Sequence, residues 1–137
     1  MKNRNLNHSD DWKTPDSLYK ELDDEFHFDF DPCPYQSDFD GLLINWGKMN
    51  FVNPPYSRKL KEAFILKAVR EAEYGNSSVL LLPVSTSTKI FHAHIKQNEI
   101  RFIEGRVKFE KKFKDGFLPT NGGQHDSMLV IIKGLEI

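Results

Sequence analysis

Four consecutive residues, Asn53-Pro54-Pro55-Tyr56, combine groups that seldom stand together. Asn53 offers a side-chain amide oxygen and Pro54 a backbone carbonyl, two acceptors able to hold an NH2 group, and Tyr56 adds a flat face. Acceptors drawing on both amine hydrogens favour a more tetrahedral nitrogen with its lone pair aimed at an electrophile, so no strong general base is needed first. Such a site grips an aminated ring. At average composition the tetrapeptide arises by chance in well under roughly one in a thousand chains of this size. A plain Pro-Pro turn closed by a packing tyrosine is therefore the lesser reading.

The elements that must position these residues follow from periodicity. Lys48 to Val52 reads as a short buried strand ending at Asn53, and the two prolines then forbid both a ladder and a helix interior. Thr14-Pro15 ahead of Leu18, Tyr19 and Leu22 reads as a cap and an amphipathic helix ending near Glu25. Phe26 to Asp31 alternates aromatic and polar, which is strand periodicity, and Pro32-Cys33-Pro34 stops it with Asp31 at the carboxyl end. Tyr35 to Gly47 reads as loop. Lys59 to Tyr74 is an amphipathic helix with its stop at Gly75-Asn76. Ser78 to Pro83 is a continuous apolar run of the kind covered on both faces, and Thr88 to Gln97 reads as helical. Ile100 to Ile103, Val107 to Phe109 and Ser127 to Lys133 read as three further strands. The implied fold class is α/β, a three-layer sandwich with a mixed sheet, parallel at first and antiparallel at its end. Met1 to Ser9 and Lys111 to Gln124 are the candidate flexible stretches, the latter as a mobile loop.

The chain of 137 residues, 39% of them hydrophobic, suits one domain over 1–137. A polar N-terminus and the lack of a long apolar run point to a protein outside the membrane and unsecreted, in a reducing cytoplasm. The lone Cys33 excludes an internal disulfide framework, and no Cys/His cluster suggests a metal. Net charge is -1, yet it is unevenly spread: residues 1–56 carry 5 Lys/Arg against 11 Asp/Glu, and residues 57–137 carry 14 against 9. An anion could dock on the second half, although solvation of opposite faces explains the split equally well.

Taken together, these segments resemble the phage-type DNA N6-adenine methyltransferases, small relatives of the class I S-adenosylmethionine-dependent enzymes. The resemblance rests on Trp12-Lys13-Thr14-Pro15, Phe28-Asp29-Phe30-Asp31-Pro32, Asp40-Gly41-Leu42 with Trp46, and Phe51-Val52 leading into Asn53-Pro54-Pro55-Tyr56-Ser57. Leu82-Pro83 with Thr86 and Phe91-His92, and Gly105-Arg106-Val107-Lys108-Phe109, extend it over nearly the whole chain. It implies an abbreviated Rossmann-like methyltransferase fold, S-adenosylmethionine as methyl donor, and a flipped adenine of double-stranded DNA as acceptor. It also implies catalytic roles for Asn53, Pro54, Pro55 and Tyr56, and donor contacts from Thr14, Pro15, Asp31 and Pro32. A phage or prophage source in a bacterial host is a further implication.

Candidate DNA contacts are Arg58, Lys59, Phe91, Arg106, Lys108, Lys111 and Lys112, the last four amid interleaved phenylalanines that suit phosphate contact with packing. An edge hairpin kept soluble by lysines fits that stretch as well, and Phe91 suits the core. Cys33 reads as a small structural hydrophobe. With no region apparent for a separate recognition domain, short or relaxed sequence specificity, or help from a second copy as a homodimer, is expected. Two features keep alternatives open. The stretch after Asp31 lacks the usual glycine-rich loop, which suits a non-catalytic nucleic-acid-binding module. Cytosine N4, an RNA base or a glutamine amide presents a similar NH2. Only 22 residues separate Asp31 from Asn53, too few for two strand-helix units, so the sheet must be shortened, with Asp31 either a first-strand residue or a ribose-binding acid.

Overall fold

The computed structural model describes residues 12–113, 116–119 and 125–136. Its elements are α1 (Asp16–Phe26), a 3-10 turn (Gly41–Leu43), β1 (Met49–Val52), α2 (Arg58–Glu73), β2 (Ser77–Pro83), a π-helical turn (Phe91–Ile95), β3 (Glu99–Phe102), β4 (Glu110–Phe113), β5 (Gly116–Pro119) and β6 (Ser127–Ile132).

Four strands form one mixed sheet in the order β1-β2-β6-β3. β1 and β2 run parallel, Met49 opposite Ser77 through Val52 opposite Leu80, whereas β6 is antiparallel to both β2 and β3. The sheet is apolar on both faces because both are covered. Val52, Leu80, Leu82, Met128, Val130 and Ile132 meet Phe64, Ile65 and Ala68 of α2 on one side. Phe51, Val79, Leu81, Leu129 and Ile131 meet Leu22 of α1 together with Val107 and Phe109 on the other. The result is the three-layer α/β sandwich with an antiparallel end that the periodicity implies. Gly75, with φ 89, ends α2 as its position predicts, its N–H donating to Ala72. Asn50, fully buried, donates to the carbonyls of Gly47 and Ser77 and accepts from the Gly47 N–H, tying the starts of β1 and β2.

Several expected elements differ. Phe26 to Asp31 is not a strand: Phe26 completes α1, His27 turns left-handed with φ 56, and Phe30 makes only an isolated parallel bridge to Asn50. Phe28 packs toward α1 and Phe30 toward the α2 side, so the aromatic spacing does not follow the pleat that period 2 requires. Val107 to Phe109 is likewise no strand, although both side chains are buried against the sheet. The predicted mobile loop contains the β4-β5 hairpin, Glu110 opposite Pro119, docked by a bridge between Lys13 and Glu110. Its remaining residues, and the expected flexible stretch 1–9, lie outside the described residues. The helix expected over Thr88 to Gln97 narrows to a short segment with a π turn, closed by the Lys96 N–H on the Phe91 carbonyl.

Between Asp31 and β1 the chain makes a 3-10 turn and no further strand, which is how so short a segment brings Asp31 and Asn53 to one rim. It does so through a tight contact: Gly41 lies against Pro32, which is itself buried, and a Cβ at position 41 would overlap the Pro32 carbonyl oxygen. Trp46 Nε1 donates to the Gly41 carbonyl at 2.8 Å. Gly41→Ala should destabilise the protein by about 1–3 kcal/mol, read as a lower midpoint of denaturant unfolding.

Candidate active-site cleft

Phe30 and β1 run parallel, and so do β1 and β2, so Asp31, Asn53 and Pro83 all emerge at one rim of the sheet. Carboxyl ends of parallel strands are where an open α/β sheet receives its ligands. A cleft of about 200 Å³ opens there, lined by Trp12, Thr14, Tyr19, Asp31, Tyr35 and Asn53 among others.

Asn53 is held by its own amide. Its Nδ2 donates to the Trp12 carbonyl at 2.8 Å and to Thr14 Oγ1 at 3.0 Å. A carbonyl can only accept, so the NH2 must face Trp12 and the amide oxygen must face the other way. No described donor takes that oxygen. The backbone carbonyl of Asn53 accepts from Cys33 Sγ at 3.3 Å, which gives the cysteine a site-shaping contact that its reading as a mere hydrophobe missed. Thr14 was read as a helix cap. Instead α1 has no side-chain cap at Pro15, and the Thr14 hydroxyl serves Asn53.

Tyr56 is fixed by two edge-on ring contacts, to Trp12 at 5.8 Å and 70° and to Phe109 at 5.8 Å and 79°. Behind it lies a narrow recess bounded by Asn53, Pro54, Tyr56, Lys61, Leu82 and Phe109. Burial pushes the Tyr56 phenol above its ordinary pKa and the Lys61 ammonium below its own. In the cleft, burial pushes the Asp31 carboxyl up to about 7, against the opposing pull of the Cys33 N–H donated to its Oδ1 at 2.9 Å. A carboxylate so poorly solvated gains from any ligand that brings it hydroxyl donors or positive charge.

The predicted site residues therefore converge in part. Thr14, Asp31 and Asn53 share the cleft, Tyr56 adjoins it through Trp12, Pro15 starts α1, and Pro32 is packed under Gly41. The predicted DNA contacts divide into three places. Lys111 lies 4.5 Å over the Trp12 ring beside the cleft, and the Lys112 N–H donates to the Tyr35 hydroxyl, so β4 borders the mouth. Arg58 and Phe91 line a groove against α2. Arg106 approaches Asp126 at 3.5 Å, and Lys59 and Lys108 are exposed. Sequence reasoning missed Trp12, Tyr19, Tyr35, Lys13 and Lys61 as neighbours of the site. Long-range contacts, the Lys13–Glu110 bridge and Lys111 over Trp12 among them, bring the first segment and the hairpin together, and no local pattern encodes them.

Among the described residues no three His, Cys, Asp or Glu side chains converge as metal ligands, and no helix is long and apolar enough to cross a membrane.

The model of the DNA N-6-adenine-methyltransferase (Dam) family matches residues 2–136. A DNA N-6-adenine-methyltransferase of Escherichia phage T1 is 33% identical over 108 residues, a match that covers 68% of this chain and 44% of the phage protein. The chain thus spans less than half the length of that relative. Among solved structures, the tRNA (m1A58) methyltransferase TrmI of Aquifex aeolicus aligns with a TM-score of 0.34 at 18% identity, over 68% of this chain and 37% of TrmI.

The raised Asp31 pKa has a definite consequence for stability. Its folded-state value lies above the ordinary 3.8, so its contribution is fully present below that value and is lost as pH rises through about 7. Asp31→Asn should therefore raise the melting temperature of the ligand-free protein, by about 2–4 °C at pH 8. The gain should shrink steadily toward pH 4, and an equal gain at both ends would refute the shift.

Proposed function

The chain belongs to the DNA N-6-adenine-methyltransferase (Dam) family, and from that we propose that it methylates N6 of adenine in DNA with S-adenosylmethionine as donor. The observation that carries this reading is the pinned Asn53 amide at the carboxyl end of β1, its oxygen turned away from Trp12, beside the cleft that holds Asp31.

The cleft fits the donor by its chemistry. Asp31 is a carboxylate short of partners beside the aromatic rings of Tyr19, Tyr35 and Trp12, which suits ribose hydroxyls, a purine face and a sulfonium charge. S-adenosylmethionine supplies an electrophilic methyl group when bound. Asn53 Oδ1 and the Pro54 carbonyl would hold the two amine hydrogens, and Tyr56, kept from swinging by Trp12 and Phe109, would stack on the ring. Holding the amine this way orients its lone pair toward the donor cleft. Burial around Tyr56 and Phe109 excludes water that would compete for the same acceptors.

The substrate proposed is adenine flipped from duplex DNA, and Lys111 beside Trp12, with Arg58, Lys59, Arg106, Lys108 and Lys112, are proposed phosphate contacts. The setting proposed is the cytoplasm of a bacterial host, with a phage or prophage source. A second reading, a nucleic-acid-binding module without catalysis, draws on the rigid Asp31-Pro32-Cys33-Pro34 turn, which has no glycine.

Incubating unmethylated DNA with the protein and isotope-labelled S-adenosylmethionine, followed by nucleoside mass spectrometry, decides between them. Labelled N6-methyladenine that falls by about 100-fold or more in Asn53→Ala is the expected result. Label on N4-methylcytosine would change the substrate, and no label from a folded protein would favour the binding module.

A further inference from the structure

Across Pro83 from the cleft, a groove of about 510 Å³ runs between the N-terminal half of α2 and the chain that joins β2 to β3. Its volume is that of a small-molecule or nucleotide site. Its floor is apolar, built from Ile65, Leu82, Ile95 and Met128, and Phe91 adds an aromatic wall. The sides carry three cations, Arg58, Lys61 and Lys89, against one carboxylate, Glu62. That carboxylate is taken by Arg58 at 3.2 Å, and neither Lys61 nor Lys89 has an ion-pair partner among the described residues.

The groove adjoins the recess behind Tyr56. Lys61, Leu82 and Pro83 line both, so Lys61 stands at the junction. Partial burial already holds its ammonium below the ordinary value, so an anion placed beside it would relieve the cost of its charge. Seryl and threonyl hydroxyls of Ser85, Ser87 and Thr88 add hydrogen-bonding groups along the same side. A cationic groove with an aromatic wall, beside the residues that frame Asn53 and Tyr56, matches how proteins hold unpaired nucleic acid.

We propose that this groove holds the nucleotide adjoining the target base on the same DNA strand, in a locally unpaired form. Lys61 and Lys89 take its phosphates, and Phe91 takes its base. This rests on the reading of the Asn53 site as a base-methylating centre, because that site defines which strand enters. An acidic peptide would satisfy the two lysines but gives no account of the aromatic wall or of the groove's place beside the Asn53 segment.

The test measures binding of the full chain to a short single-stranded oligonucleotide by fluorescence anisotropy over a series of salt concentrations. The same strand with an abasic site beside its one adenine, and an unrelated acidic peptide, serve as comparison probes. Replacing both lysines, Lys61→Gln with Lys89→Gln, should weaken binding about tenfold or more and flatten the plot of log affinity against log salt by about 1.4, the value for two lost phosphate contacts on a single strand. Phe91→Leu should weaken binding at least about fivefold with the slope unchanged, and the abasic strand should abolish that difference. Lys89→Gln alone changes an exposed side chain and keeps the test independent of any folding defect at Lys61 or Phe91; it should lower the slope by about 0.7. Unchanged affinity and slope in Lys89→Gln and in the double variant would overturn the proposal, as would tighter binding of the acidic peptide than of the strand. Because the readout is binding, failure of methyl transfer with these groove effects intact would count against the enzymatic reading, whereas transfer that proceeds without them would count against the groove alone.

Discussion

One amide organises the site. By donating both to the Trp12 carbonyl and to Thr14 Oγ1, Asn53 closes contacts across 41 and 39 residues of chain and sets where α1 begins. The same two bonds orient the Asn53 oxygen, place Trp12 against Tyr56, and bring Lys13 into register with Glu110 of the hairpin. Each such bond is modest on its own, about 1 kcal/mol net, so their weight lies in what they align. The aromatic contacts of Trp12 with Tyr56, and of Tyr56 with Phe109, then fix ring positions that two hydrogen bonds alone would leave free to rotate.

The sheet end depends on economy of chain. Asp31 and Asn53 stand at one rim of the sheet although only a loop, a 3-10 turn and β1 itself join them, and Asp29 helps to hold that loop in place. Its carboxylate accepts from the N–H groups of Lys48 and Met49, satisfying the backbone at the start of β1 where a longer edge strand would otherwise do so. Asp31 repeats the device one turn later on Cys33. The acidic first half of the chain is thus partly structural, its carboxylates spent on backbone donors rather than arrayed for a partner.

Legibility in the sequence followed the reach of the interactions. β1, α2, β2 and β6 were readable because an apolar run or a helical stripe bounded by Pro or Gly reports burial directly, and α2 stops where Gly75 says it must. The Asn53 tetrapeptide was readable because its chemistry is contained in four neighbours. Phe26 to Asp31 misled because aromatic alternation normally means a pleat, whereas here the rings are divided between two faces of the sheet. The lysine-rich hairpin read as loop because its short strands pair only with each other and are held to the molecule by a bridge to Lys13, almost a hundred residues earlier. For the same reason Trp12, though part of the resemblance, and Tyr19 and Tyr35 carried no site role, since only tertiary pairing assembles the cleft they line.

The placement of β6 sets an order on how the molecule can be made. It lies between β2 and β3, antiparallel to both, and all six of its residues are buried. Until residues 127–132 have been synthesised, β2 and β3 have no common neighbour, and the apolar faces of Val79 to Leu82 have nothing beside them on that edge. Until then the Asn53 segment rests on an unfinished sheet, and the central layer closes only through long-range pairing. Folds of that kind assemble slowly and expose adhesive edges while they wait. Before β6 is in place, the bare edge of β2 is where such an adhesive contact would form.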